Sequence, residues 1–152
     1  MGGKSMRKYL IRDNVPKVIL LNHLLLLWFI SACAYVGFIT YYDPITYKSL
    51  TDLKPEVMAL YGTFTTDSVD ASQIAATRLK LAQIYEYEKG KGEKNRETYE
   101  QIKKIQAMFE RHVSDRLTTG RWTTTHLNNQ KQNIAEAFDI AIKTERLKNK
   151  NE

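Results

Sequence analysis

The chain of 152 residues, 43% hydrophobic and 26% charged, is long enough for one small domain and no more. Its formal net charge of +6 is unevenly placed: residues 1–17 hold five of the 23 basic groups (Lys4, Arg7, Lys8, Arg12, Lys17) and one of the 17 acidic ones, Asp13, leaving 18 against 16 for the rest. Basicity gathered in one tail is not the stripe or groove that nucleic acid requires. The single cysteine, Cys33, excludes an internal disulfide and a cysteine-based zinc site.

The basic tail (1–17) leads into residues 18–42, an apolar run with no charged group if His23 is neutral. As a helix this run reaches roughly 37 Å, against a hydrocarbon core of about 30 Å. A helix apolar on every side has no use in a small soluble domain, so the run is expected to span a membrane. Two cleavage patterns fall inside it: the lipobox-like Ile30-Ser31-Ala32-Cys33, and Ala32-x-Ala34. Either cut would leave an apolar mature start, Tyr35 to Tyr42, so the segment is read as a retained anchor. Met1-Gly2-Gly3-Lys4-Ser5-Met6 misses the myristoylation pattern by placing serine one position early.

The charge asymmetry puts the N-terminus on the matrix or cytoplasmic side by the positive-inside rule, with the C-terminal bulk across the membrane. Tyr41 and Tyr42 suit an aromatic belt at the far interface. Within the run, Asn22 and His23 are polar groups that need partners in hydrocarbon, either headgroups or a neighbouring helix. A second histidine at similar depth is absent, so haem ligation is not supported and no cofactor is expected. Ser31, Ala34 and Gly37 form a small-residue face that allows close helix packing.

Beyond the run, Asp43-Pro44 is read as a stop, and residues 43–66 as an irregular connector punctuated by Pro55 and Gly62, with a short helix from Lys54 to Leu60. The region 67–152 is expected to form about three helices in a hairpin or bundle. Ile74, Leu81, Ile84 and Tyr85 give the first a stripe ending at Gly90-Lys91-Gly92. Tyr99, Ile102, Ile105, Phe109 and Val113 face inward from 93–117. After a Thr-rich loop, Ile134, Phe138, Ala141 and Ile142 do so from 129–148. With about a dozen large inward side chains this core looks thin, which points to burial against a partner.

Other residues carry less chemistry. His112 and His126 flank the Thr-rich loop with only Asp115 as a further ligand, a poor metal site. Ser114 and the Thr cluster show no nucleophile–base spacing, and the glycines around Lys91 do not have phosphate-loop spacing. YEYEKGKGEKNRE reads as solvated surface. Arg121 and Trp122 are interface candidates, because both residue types are enriched at binding hot spots, with a place in the core the equal alternative for Trp122.

The fold class is therefore mostly α: one N-terminal transmembrane helix and a small extramembrane helical region. The expected function is a non-enzymatic, single-pass accessory or assembly subunit of a larger membrane complex, with other subunits and the lipid bilayer as partners and no nucleic acid. The basic, amphipathic tail favours the mitochondrial inner membrane and an energy-transducing complex. The alternatives are a subunit of a bacterial envelope or secretion machine, and a membrane-anchored sensor or binding module.

Overall fold

The computed structural model describes residues 41–148. The span expected over 18–42, its last two residues apart, lies outside them, as do Asn22, His23, Ser31, Ala34 and Gly37. Among the described residues no helix is long and apolar enough to cross a membrane.

Four helices account for most of the described chain: α1 (Pro44–Gly62), α2 (Ala71–Gly90), α3 (Arg96–Thr119) and α4 (Thr124–Leu147). Short 3-10 turns, Thr63–Thr65 and Glu93–Asn95, follow α1 and precede α3. Each helix packs on the next, and α4 closes back on α1. Cross-pairs fix the directions. Thr46, near the start of α1, meets Glu88, near the end of α2, while Glu56 meets Lys80. Arg78 of α2 clasps Glu110 of α3, and Gln101 and Asp115 of α3 meet Thr144 and His126 of α4. Neighbours are antiparallel throughout, giving an up-down-up-down four-helix bundle.

The first helix corrects the sequence reading, which had an irregular connector over 43–66 and about three helices beyond it. Asp43 does not simply stop a preceding helix; it caps α1. Its Oδ1 accepts the Ile45 and Thr46 N–H groups at 2.7 and 3.3 Å, and Pro44 takes the first position, where no N–H is needed. Pro55 lies inside the helix on its exposed side, so the Thr51 carbonyl it leaves unbonded is in reach of water. Gly62 is simply the last helical residue. The buried face of α1, through Thr46, Leu50, Leu53, Val57, Leu60 and Tyr61, repeats every three or four residues.

That face changes the account of the core. The stripes read for the other three helices are buried, with Tyr85, Tyr99 and Ile142 only partly so. To them α1 and the turn after it add Leu50, Leu53, Val57, Leu60, Tyr61 and Phe64, each 2% exposed or less. At about 1.5–3 kcal/mol per buried large apolar side chain, this contribution is comparable with that of any other helix. The core of the described residues holds sixteen apolar side chains larger than alanine, more than the dozen expected.

The turns are short. Gly92 (φ 85°) and Gly120 (φ 86°) take backbone conformations that side-chain-bearing residues rarely adopt, which ends α2 and α3 sharply. The Thr-rich segment expected as a loop is mostly helical: α3 runs to Thr119, and Thr123 caps α4 through the His126 N–H. The backbone N–H of Trp122 donates to the Phe64 carbonyl at 3.0 Å, tying the two turns at that end together.

Candidate functional site

The bundle has two chemically distinct ends. At the first, where α1 and α3 begin and α2 and α4 finish, five charged side chains and their polar partners interlock. Lys91 lies 2.6 Å from both Asp43 Oδ2 and Glu88 Oε1, and donates to the Thr46 hydroxyl at 2.9 Å. The Thr46 hydroxyl donates in turn to Glu88, whose other oxygen accepts from the Asn95 amide. Lys148 donates to Asn95 Oδ1 at 2.6 Å and pairs with Glu145 Oε2 at 2.5 Å, and Glu145 Oε1 accepts the Asp43 N–H at 2.7 Å. Glu88, Glu145 and Thr46 are fully buried and Lys148 nearly so. Most of the segment 85–97, read as solvated surface, is exposed, but Glu88 and Asn95 within it are buried and Lys91 is partly so.

Burial by itself would raise the Asp43 carboxyl, but the Lys91 ammonium, the Tyr87 hydroxyl (2.7 Å) and the Ile45 N–H outweigh it and hold the group at about 2. Lys91 is likewise disfavoured by burial, yet its bonds to Asp43 and Glu88 lift it above the ordinary lysine value. The cluster fastens the start of α1 to the ends of α2 and α4. Most of its donors and acceptors answer one another, with Glu145 Oε2 held by the Lys148 ammonium as an ion pair.

At the opposite end, aromatic rings and two histidines gather. Tyr61 stacks on Phe64 (5.0 Å between centroids), and Trp122 meets Phe64, Tyr61, His112 and His126 edge-on at 5.0, 5.8, 6.0 and 4.7 Å. The Tyr61 hydroxyl and His112 Nδ1 share a 2.9 Å hydrogen bond. Burial, reinforced by the positive charge of Arg111 and by the neighbouring His126, pushes the His112 imidazole down to about 4. Burial, with Glu110 adding to it, pushes the Tyr61 phenol well above its ordinary value. Both are neutral at neutral pH. His126, half-exposed, pairs through Nε2 with Asp115 at 3.1 Å.

His112 and His126 line one cleft, with Trp122 packed against both. Among the described residues no group of three or more His, Cys, Asp or Glu side chains is arranged to hold a metal ion. Ser114 makes no hydrogen bond to either imidazole. An open cleft of about 560 Å³ lies along α3 and α4 beside His112, its walls including Arg111, Asp115, Gln130 and Glu136 over Met108, Ala137 and Ile140. A second, of about 420 Å³, lies between α1 and α2 over Leu53, Ile84 and Tyr87.

Of the two interface candidates, Arg121 is exposed and 3.2 Å from Asp67. Trp122, at 5% exposure, belongs to this chain's own core, the second of the two places the sequence allowed it. Its indole Nε1 has no hydrogen-bond partner. Arg116, which sequence reasoning passed over, is also buried, and donates to the Thr66 carbonyl at 2.6 Å to hold the turn between α1 and α2.

One signal would have revealed the polar end. Glu88 continues the α2 stripe four residues after Ile84, and Glu145 follows Ala141 by four on α4, so each carboxylate sits in register with the apolar face. Comparison with protein families, with curated proteins and with solved structures finds no match to this chain.

Proposed function

We propose that this chain is a single-pass, membrane-anchored and non-enzymatic accessory subunit of a larger membrane complex, in which the four-helix bundle is the docking module. The observation that carries the reading is the continuity of two unlike segments. An uncharged apolar run of 25 residues with a basic flank is followed, with no intervening linker residue, by Asp43, the cap of α1. The basic, acid-poor tail favours a mitochondrial inner membrane over a bacterial one, with the N-terminus on the matrix or cytoplasmic side. The core is closed by the bundle's own four helices, so a thin core no longer argues for assembly.

That same closure favours a second reading, an anchored sensor or binding module that receives a ligand in a cleft between helices. Clefts of about 420 and 560 Å³ fall in the size range of small-molecule sites.

The test is purification of the tagged full-length chain in mild detergent, followed by native mass measurement and identification of co-purifying proteins. A large stoichiometric assembly supports the subunit reading. A monomer or small homo-oligomer moves the assignment to the binding module. Extraction of the chain from membranes by alkaline carbonate would remove the anchor and both readings with it.

A further inference from the structure

The large apolar side chains left exposed by the bundle are not spread evenly. Of seven among the described residues, four lie at the end carrying the buried ion cluster: Tyr41 (61% exposed), Ile45 (59%), Tyr87 (43%) and Leu147 (67%). They come from three different segments, the lead-in and first turn of α1, the last turns of α2 and the last turn of α4, which the antiparallel packing brings to one end. Of the seven, Leu117 alone lies at the opposite end, where Thr66, Asp67, Ser68, Arg121 and Thr123 are at the surface.

Aromatic rings concentrate there as well. Tyr42 and Tyr47 pack against each other at 5.9 Å, and Tyr87 keeps its hydroxyl on Asp43 while its ring lies 4.3 Å from the Lys91 ammonium. A tyrosine with a bonded hydroxyl and an exposed ring suits a membrane–water interface, where one side is apolar and the other wet. Exposed Lys89 and Arg146 at this end can lay their methylene stems along apolar neighbours and reach lipid phosphates.

We propose that this end of the bundle is a lipid-docking face, with Tyr41, Ile45, Tyr87 and Leu147 entering the headgroup region of the bilayer that holds the anchor. The occupant follows from the chain itself: Tyr41 and Tyr42 are the last residues of the apolar run over 18–42, so the run leads directly into this end of the bundle. The inference rests on the anchored reading above and adds an orientation to it. The buried cluster beneath this face keeps the charges of Glu88, Glu145 and Lys148 inside the protein, while the α2–α3 turn at the same end leaves Glu93, Lys94, Arg96 and Glu97 exposed, so the face is an apolar patch with a charged border.

The test uses the full-length chain with Cys33→Ser, carrying an environment-sensitive fluorophore at Leu147→Cys or, as the control, at Leu117→Cys. Each is reconstituted into phosphatidylcholine vesicles with brominated acyl chains. The expected result is co-flotation with the vesicles and quenching several-fold stronger at 147 than at 117. Ile45→Asp is expected to reduce that difference while helical circular dichroism is unchanged. Co-flotation with equal quenching at both positions would overturn the inference and leave the anchor standing. Failure to co-float would overturn the anchored reading, and the inference with it. A doubled native mass, with the 147 probe shielded but not quenched by bromine, would assign the face to a second copy of the chain and overturn the lipid assignment.

Discussion

The Tyr61 hydroxyl lies 2.9 Å from His112 Nδ1, joining α1 to α3 through a hydrogen bond between two buried side chains. Burial holds His112 at about 4, below its ordinary 6.5, so the unfolded chain takes up this proton before the folded one does. Between those two values the unfolded state binds more protons, and stability falls as the pH is lowered from about 6.5 towards 4. The loss is about 2–3 kcal/mol from this group, complete below about pH 4. Asp43 acts in a separate window: its carboxyl is depressed to about 2, so its contribution is intact above its ordinary 3.8 and is lost as pH falls through 2. Urea denaturation of the detergent-solubilised chain at several pH values is expected to show the first slope in the native sequence and a flatter one in His112→Gln.

The ion cluster makes a sharper contrast between buried and exposed pairs. Glu88→Ala leaves Lys91, Thr46 and Asn95 without their common acceptor inside the protein, and is expected to destabilise by about 3–5 kcal/mol. Lys48→Ala breaks the exposed pair with Asp52 one turn away, and is expected to change stability by no more than about 0.5 kcal/mol. Denaturation midpoints of the two variants, measured side by side, check both values.

Trp122 fastens the two turns at the histidine end. Trp122→Ala opens a cavity among Tyr61, Phe64, His112 and His126 and is expected to lose about 3–5 kcal/mol. Trp122→Phe is expected to lose less, because the unbonded Nε1 donor leaves with the indole. If Trp122 served an outside partner instead, both variants would retain the native midpoint and lose only the assembly.

Pro55 is the one interior proline among the described helices. Because it lies on the exposed face of α1, alanine there restores a helical N–H without crowding the core, and Pro55→Ala is expected to stabilise the bundle by about 1–3 kcal/mol. Thermal unfolding followed by circular dichroism measures it. An unchanged or lowered midpoint would mean that α1 needs its proline to curve around the core.

Much of the bundle was legible in residue order. The stripes of Ile74, Leu81 and Ile84, of Ile102, Ile105, Phe109 and Val113, and of Ile134, Phe138 and Ala141 follow from the 3.6-residue period, and the helices bury those residues. Gly92 and Gly120 mark turns because few other residues tolerate their backbone angles. The first helix was harder to read. Pro44, Pro55 and Gly62 carry the local signature of a connector, while Leu50, Leu53, Val57 and Leu60 carry that of a helix, and packing against α2 and α4 decides between them.

By itself, residue order determined what depends on local geometry and composition: the helical periods, the uncharged apolar run over 18–42 and the gathering of basic charge before it. Tertiary structure alone decided what depends on neighbours distant in the chain. It buried Glu88, Glu145 and Lys148 together, because each carboxylate needs a cation or amide supplied by another helix or turn. It put Trp122 in the core and the Tyr61 hydroxyl on His112, and it brought Tyr41, Ile45, Tyr87 and Leu147 to one end. A side chain's burial is set by what packs over it, and that cover comes from elements tens of residues away.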